Sequence, residues 1–474
     1  MGKCDLIAIF AAEFVMMTKE FASYYDNGIM LKRKIEDILL EWKRKEDKKP
    51  LIVNGARQVG KTESIRLFGK KNYKSVVEIN FALQRKFHTI FNNGYEVDDI
   101  LRNISFIDPT VKLIPHHTLI FFDEMQDYPD CATSLKAFKI DGRYDVICSG
   151  SLMGINYNKI ASNSVGYKED YEMHSMDFEE FLWAKGYDEG QIEYLYSFMA
   201  KMRPYPQSIL DTMFQLFREY MVIGGMPEVV NKYITQGTFS GLLDIQQQLL
   251  RDYEEDITKY AVGLEKAKVL AVYRHISTFL AKENKKFQVT KIANGARNRE
   301  YIGAVEWLQN AGIVNVCYCL DNLELPLKGN YDPKQYKLYY KDTGLLIASL
   351  DKESQDDLRS NNNLGTYKGA LYENIVGDML VKQGYDLYFY RREKPSIEMD
   401  FFVRNADSLI PVEVKANNSA SPSLNKLINP DNKYEDIRLG IKLCAANIGF
   451  NGSILTLPYF TTFMLRRLLK ERRM

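Results

Sequence analysis

Residues 51–62 read LIVNGARQVGKT, an apolar run that opens directly into the pattern G-x-x-x-x-G-K-[ST]. Backbone N–H groups must wrap a polyphosphate closely in such a loop, and glycine permits the tight turn with no side chain in the way. Lys61 is expected to reach the β and γ phosphates, and Thr62 to offer its hydroxyl to Mg²⁺ at the N-terminus of a helix. The residues predicted to bind the nucleotide here are Gly55, Ala56, Arg57, Gln58, Val59, Gly60, Lys61 and Thr62.

A second apolar run, HTLIFFDE at residues 117–124, ends in two acids. Such a run suits a strand that is buried on both faces of a parallel sheet. Asp123 is predicted to hold Mg²⁺ through water, and Glu124 to orient and activate the attacking water. The alternative for this run alone is a buried strand that happens to end in surface acids. ATP and Mg²⁺ are the expected cofactors.

A third apolar run, DVICSGS at residues 145–151, ends in small polar residues. Ser149 is placed where a sensor of the γ-phosphate would lie. Taken alone this signal is weak, because Ser-Gly-Ser after a strand is usually only a turn.

Composition limits the class of protein. The chain has 474 residues, of which 46% are hydrophobic, and length alone suggests about three domains. Because the formal net charge is only +1, any nucleic acid would have to bind to local positive patches. No apolar run approaches the ~20 residues of a membrane span, and the cysteines lack the paired spacing of a zinc site. We expect a cytoplasmic protein with reduced cysteines, no zinc and no membrane partner.

The patterns divide the chain into six segments of an α/β protein. Residues 1–29 are expected to be a peripheral extension ahead of Met30, and residues 30–175 a P-loop NTPase core with a parallel sheet and flanking helices. A mostly helical pattern over 176–262, broken by a turn at residues 224–227, predicts a helical lid. Three short helices and a β-wing over 263–350 are typical of a winged helix. The polar segment 351–364 predicts a linker, and 365–474 a restriction-endonuclease-like α/β domain.

The winged-helix segment carries local positive charge that could contact DNA. The alternative is a winged helix used only for protein contacts, since basic residues on exposed helices are normal. The basic residues are Lys285, Lys286, Lys291, Arg297 and Arg299.

The final segment holds a second group of candidate catalytic residues. Glu373 shares a helix face with apolar residues, so its carboxylate needs partners. Asp400 lies in the next β-run, and Glu413 and Lys415 share one face of another. Asp400 and Glu413 are predicted to bind a divalent cation, and Lys415 to position or activate a water. The alternative is a structural ion-pair network between these acids and Lys415.

The spacing of these acids matches the PD-(D/E)xK nuclease core, with Glu373, Asp400, Glu413 and Lys415 as its catalytic set. Together with several other motifs it makes the chain similar to bacterial and archaeal AAA-superfamily ATPases that pair an N-terminal P-loop domain with a C-terminal endonuclease-like domain. The resemblance implies ATP binding with hydrolysis, DNA as a proposed partner, and the option of a homo-oligomer. The motifs are GARQVGKT, FFDEMQ ending at Gln126, the SGS turn, DFEEFLWA, GGMPE, residues 340–345 and IPVEVKA.

One position departs from the pattern of that family. Related chains often place an arginine after the glycine that follows the sensor, whereas this chain has Lys168 in GYK at residues 166–168. Arg57 and Arg143 are the local alternatives for an arginine finger.

These observations predict an ATPase whose nucleotide state controls a DNA-directed winged helix and a nuclease-like domain. One alternative is a nucleotide-dependent switch that binds a protein partner and has a catalytically silent terminal domain. Another is a regulator that binds DNA without cutting it.

Overall fold

The computed structural model describes residues 31–151, 164–261, 264–280, 297–350, 353–360, 365–393, 396–405, 408–429, 434 and 436–471. The predictions made for residues 1–29 and for Lys285, Lys286 and Lys291 lie outside these ranges. Within them, no helix is both long enough and apolar enough to cross a lipid bilayer.

The first sheet contains β1 (Leu51–Gly55), β2 (Ser75–Asn80), β3 (Thr118–Asp123), β4 (Asp145–Ser151) and β5 (Glu169–Glu172). All pairings are parallel, in the order β2-β3-β4-β1-β5. The flanking helices are α1 (Ile35–Arg44), α2 (Lys61–Asn72), α3 (Val97–Ile107) and α4 (Cys131–Asp141). β1 and β3 are buried along their whole length, which confirms the strands predicted from apolar runs. The carboxyl ends of β1, β3 and β4 meet at one edge, where open α/β sheets bind ligands.

A helical region follows, as predicted for residues 176–262. Its helices are α5 (Phe178–Ala184), α6 (Glu189–Ala200), α7 (Gln207–Ile223), α8 (Pro227–Gln236) and α9 (Leu242–Tyr260). The turn between α7 and α8 requires glycine, because a Cβ at Gly225 would lie 2.0 Å from the Met176 carbonyl oxygen. The Gly225 N–H donates to Asp342 Oδ2 at 2.7 Å. The GGMPE motif therefore fixes this turn against a later part of the chain.

The next segment contains α10 (Leu264–Leu280), α11 (Ile302–Asn310), β6 (Val314–Leu320) and β7 (Tyr331–Tyr340). β6 and β7 pair antiparallel; the winged helix itself stays a prediction. Helix α12 (Thr343–Ala348) comes next. The polar segment predicted as a linker contains a short helix, α13 (Ser354–Arg359), where Gln355 is buried and its Nε2 donates to Gln246 Oε1 at 2.7 Å.

The terminal region begins with α14 (Gly365–Lys382), which ends just before Gly384 with φ +83°, as the sequence predicts. The remaining elements are β8 (Leu387–Arg392), β9 (Ile397–Met399), β10 (Phe401–Arg404), β11 (Leu409–Val414), α15 (Pro422–Ile428), β12 (Gly440–Cys444), β13 (Gly449–Phe450), β14 (Ile454–Pro458) and α16 (Leu465–Glu471). One sheet has the order β10-β11-β12-β14-β13. Another has the order β7-β6-β8-β9, with β6 parallel to β8. Strands β6 and β7 thus share a sheet with β8 and β9 of the terminal region.

Candidate nucleotide-binding site

The predicted phosphate-binding loop connects β1 to α2 and is closely packed. A Cβ at Gly55 would lie 2.3 Å from the Met173 carbonyl oxygen, and Gly60 has φ +96°, so both positions require glycine. Lys61 Nζ donates to the carbonyl oxygens of Gly55 at 3.0 Å and Ala56 at 2.7 Å. Burial lowers the pKa of Lys61 to about 8, although Glu124 and Asp123 oppose the shift. The lysine is held at the start of α2, where the helix dipole favours anions.

Asp123 is the centre of the polar cluster at the sheet edge. Its side chain accepts hydrogen bonds from Thr62 Oγ1 at 3.1 Å, from Asn80 Nδ2 at 2.9 Å and from Ser149 Oγ. Three side chains predicted to serve the nucleotide, Thr62, Asp123 and Ser149, are therefore brought together. Carboxylate and hydroxyl oxygens are the ligands that Mg²⁺ prefers, so these residues suit the cation that accompanies ATP.

Asn80 was missed by the sequence analysis. It ends β2, the strand beside β3, and its partner Asp123 is the residue paired with it in the parallel register. A polar residue at the carboxyl end of a strand is the signal that could have pointed to it, once SVVEIN at residues 75–80 was taken as a strand.

Glu124 directly follows β3 and adopts a left-handed backbone conformation with φ +56°. Such a conformation costs about 1–3 kcal/mol for a residue other than glycine, and it occurs often at active sites. Gln126 Nε2 donates to Glu124 Oε2, while Gln126 Oε1 accepts from the Ser151 N–H at 3.1 Å. Gln126 therefore holds the Glu124 carboxylate against the end of β4.

Helix α9 lies over the loop and engages its side chains. Arg57 Nε is 2.9 Å from Asp256 Oδ2, and Gln58 Nε2 donates to Asp252 Oδ2 at 3.1 Å. The Tyr253 hydroxyl donates to the Arg57 carbonyl oxygen at 3.0 Å. The predicted lid thus contacts the nucleotide loop directly.

The residues considered for an arginine finger all have acidic partners within the chain. Arg57 is paired with Asp256, as above, and Arg143 Nη2 lies 2.6 Å from Asp98 Oδ1. Lys168 Nζ lies 2.7 Å from Asp170 Oδ2. The assignment of a finger remains a prediction.

Arg33, which the sequence analysis did not single out, stabilises the loop by a hydrogen bond to its backbone. Its side chain is 7% exposed, and Nε lies 3.0 Å from Glu180 Oε1. Nη1 donates to the Val59 carbonyl oxygen at 2.7 Å and Nη2 to the His174 carbonyl oxygen at 2.8 Å. The available signal was charge complementarity between the basic run KRK at residues 32–34 and the acidic motif DFEEF at 177–181.

The second predicted constellation lies at the junction of the two later sheets. Asp400 separates β9 from β10, and its Oδ2 accepts from the Val414 N–H at 2.9 Å. Lys415 Nζ lies 2.7 Å from Glu413 Oε1, which agrees with the prediction that these side chains share a face. Glu413 Oε2 is buried and accepts no hydrogen bond from the described residues.

Burial lowers the pKa of Lys415, but the carboxylates of Glu413, Asp400 and Glu373 raise it above its ordinary value, so Lys415 lies near Glu373 as expected. Glu373 also has hydrogen-bond partners that were not expected. The sequence analysis sought them among Asp400, Glu413 and Lys415, but Glu373 Oε1 accepts from Lys337 Nζ at 2.9 Å and from the Tyr339 hydroxyl. Both donors come from β7, because that strand and α14 pack together. Among the residues that the structure describes, no group of three or more His, Cys, Asp or Glu side chains is arranged to hold a metal ion. The described residues around Glu373 therefore do not fit a divalent cation.

Three family models match separate parts of the chain. Residues 47–182 match the AAA domain, while residues 214–356 and 368–460 match two domains of unknown function, DUF8612 and DUF4143. An uncharacterized protein of Haemophilus influenzae is 23% identical over 298 residues, which cover 62% of this chain. The match spans 64% of that relative, less than two thirds of its length.

Solved structures also show similarity, at low identity. The Aeropyrum pernix ORC1 protein in complex with DNA is 11% identical, with 71% of this chain and 94% of that chain covered and a TM-score of 0.30. AMPPCP-bound DnaA from Aquifex aeolicus is 14% identical, with 60% and 90% covered and a TM-score of 0.27. The match to the AAA domain coincides with the parallel sheet and the loop described above. Residues 47–182 are therefore similar to the AAA domain and have the parallel sheet and loop of a P-loop NTPase fold.

Proposed function

We propose that this chain is a Mg²⁺-dependent ATPase whose nucleotide state is transmitted to its terminal region. The observation that carries the proposal is the convergence of Lys61, Thr62, Asp123 and Ser149 at one sheet edge, within the segment that matches the AAA domain. Phosphoryl transfer needs mainly positioning and neutralisation of phosphate charge, and this cluster offers both.

Each residue has a distinct role in the proposed reaction. Lys61 exchanges its bonds to the loop carbonyls for bonds to phosphate oxygens, and it neutralises their charge. Thr62 and, through water, Asp123 would hold Mg²⁺, which when bound would supply further neutralisation of the phosphates. Glu124, held by Gln126, orients the attacking water and accepts its proton. Ser149 donates a hydrogen bond near the terminal phosphate.

A chain of contacts supports transmission from this site to the terminal region. The Met173 N–H donates to the Asn54 carbonyl oxygen at 2.7 Å, beside the start of the loop. Three residues on, the Met176 carbonyl oxygen accepts from Lys382 Nζ at 3.2 Å. Lys382 belongs to α14 and lies 2.8 Å from Asp378, with both side chains 4% exposed. A shift of the loop would therefore change the position of Met176 relative to the buried Lys382–Asp378 ion pair in α14.

We propose DNA as the partner of the segment predicted to be a winged helix. Arg297 and Arg299 are exposed there, so both are available to phosphates. A cytoplasmic location and a homo-oligomer are proposed with it. The second candidate function is a nucleotide-dependent switch that binds a protein partner, and the pairing of Glu373 with Lys337 favours it over a nuclease.

Measuring ATP turnover with Mg²⁺, with and without DNA, tests the proposal. We expect turnover in the wild type, stimulation by DNA, and loss of turnover in Lys61→Ala. Equal turnover in the wild type and Lys61→Ala would reject the ATPase. Turnover that ignores DNA but responds to a protein partner would favour the switch.

A further inference from the structure

Lys337 is a lysine buried at the junction between strands β6 and β7 and the terminal region. Its side chain is 2% exposed, as is that of its partner Glu373, with Nζ and Oε1 2.9 Å apart. Glu398 Oε1 is 3.8 Å from the same nitrogen, and the ring centroid of Phe389 is 4.8 Å away. A buried ammonium is strongly unfavourable unless it is paired and hydrogen-bonded. Glu373 provides that pairing, because it is the buried carboxylate within hydrogen-bond distance of Lys337 Nζ.

The charges around Lys337 keep it protonated. Burial lowers its pKa, but the carboxylates of Glu373, Asp400 and Glu398 outweigh burial and raise the pKa above its ordinary value. Glu373 in turn receives two donors on one oxygen, Lys337 Nζ and the Tyr339 hydroxyl. A buried carboxylate that has an ammonium and a hydroxyl group as hydrogen-bond donors does not need a metal cation to neutralise its charge.

The neighbouring acid Glu413 is also paired with a lysine at one of its oxygens, while its Oε2 accepts no hydrogen bond from the described residues. Glu413 Oε1 is 2.7 Å from Lys415 Nζ. Two of the three acids of the predicted nuclease set, Glu373 and Glu413, are thus each paired with a lysine. The third, Asp400, accepts a backbone N–H from β11.

We infer that Lys337 is an internal counter-ion that neutralises Glu373 in place of a divalent cation, and that Glu373 is neither a metal ligand nor a catalytic residue of this chain. The terminal region then keeps the order of elements predicted for a nuclease without the metal centre that cutting requires.

A double-mutant cycle in the full-length chain tests the pairing. Glu373→Gln and Lys337→Met should each lower the thermal unfolding midpoint, because each leaves the other group buried without its partner. The double variant should recover most of the loss. Glu398→Gln is the control, since that carboxylate is 44% exposed, and it should leave the midpoint nearly unchanged. A double variant no more stable than the sum of the single losses would overturn the inference.

Mn²⁺ calorimetry tests the metal, with every variant carrying Lys61→Ala to disable the phosphate loop. We expect the heat of Mn²⁺ binding to be the same with and without Glu373→Gln in the Lys61→Ala background. The same expectation holds if neither protein binds Mn²⁺. A loss of Mn²⁺ affinity of about tenfold or more in Glu373→Gln would overturn the inference. If Lys337→Met alone does not fold, Glu373→Gln and the folded double variant still decide between these outcomes.

Discussion

The guanidinium of Arg33 donates a hydrogen bond to the carbonyl oxygen of Val59, 26 positions away, over 2.7 Å. The same group also contacts the carbonyl of His174 and the carboxylate of Glu180. One buried side chain therefore connects the nucleotide loop to the segment that follows β5 and to α5. Arg33 positions the loop and does not belong to its motif.

Arg33→Lys should weaken binding of a fluorescent ATP analogue by about tenfold, or ~1.4 kcal/mol. Lysine keeps a positive charge beside Glu180, but it cannot form the three directed bonds of a guanidinium. Arg33→Ala should in addition lower the free energy of unfolding by ~3 kcal/mol, because the buried Glu180 loses its cationic partner and keeps only the backbone N–H groups of Lys34 and Asp177. Lys32→Ala is the control, since Lys32 and Glu189 are exposed and such pairs contribute less than about 1 kcal/mol. Unchanged affinity in both Arg33 variants would exclude the positioning role.

Lys61→Ala should abolish productive nucleotide binding, because it removes the ammonium that neutralises the β and γ phosphates. Titration of a fluorescent ATP analogue measures this. Lys70→Ala, at an exposed position of the same helix α2, should bind as the wild type does. If Lys61→Ala keeps both affinity and turnover, the loop is not the nucleotide site.

Nucleotide binding should take up a proton at alkaline pH. Because burial lowers the pKa of Lys61 from 10.5 to about 8, the folded chain releases this proton before the unfolded chain does. Stability should therefore rise with pH between these two values, and the charged form is restored when phosphates bind. At about pH 9 binding should take up close to one proton, and at about pH 7 only about a tenth of one.

Calorimetry of ATP binding in buffers with different ionisation enthalpies measures this uptake. Lys61→Arg is the control, because arginine stays charged throughout the range and should show no uptake. Equal proton uptake at the two pH values in the wild type would mean that Lys61 is not the titrating group.

Glu124→Gln should separate binding from chemistry. The amide keeps the shape of the side chain but cannot accept the proton of the attacking water, so ATP should bind while hydrolysis falls about 10²-fold or more. Glu63→Gln, an exposed acid on α2, should hydrolyse ATP at the wild-type rate. Normal turnover in Glu124→Gln would move the catalytic role to another residue.

Replacing both Arg297 and Arg299 with alanine should weaken DNA binding for all sequences. The slope of log affinity against log salt concentration should fall by about one for each phosphate that no longer has an arginine beside it. Arg102→Ala is the control, since Arg102 is 63% exposed and lies on α3 in the first domain. A salt slope unaltered by the double substitution would favour protein contacts for this segment.

Local patterns predicted the parts of the fold that depend on contiguous residues. The apolar runs of β3 and β4 identified buried parallel strands, and parallel topology then placed Thr62, Asp123 and Ser149 together. Lys337 could not be predicted in this way. In YKLYY at residues 336–340, alternation suggests that Lys337 faces solvent, but α14 covers that face of β7 and buries it. Its partner is fixed by tertiary packing between segments, for which the local pattern contains no signal.

The parallel pairing of β6 with β8 sets a limit on how this chain can be cut. A fragment that starts at residue 365 would leave β8 without its neighbour, as an open edge prone to aggregation. It would also leave Glu373 without the ammonium of Lys337. Any piece of this protein meant to be expressed, crystallised or exchanged between chains should therefore begin ahead of β6. Such a fragment would keep β6, β7 and α14 together with the strands that follow them.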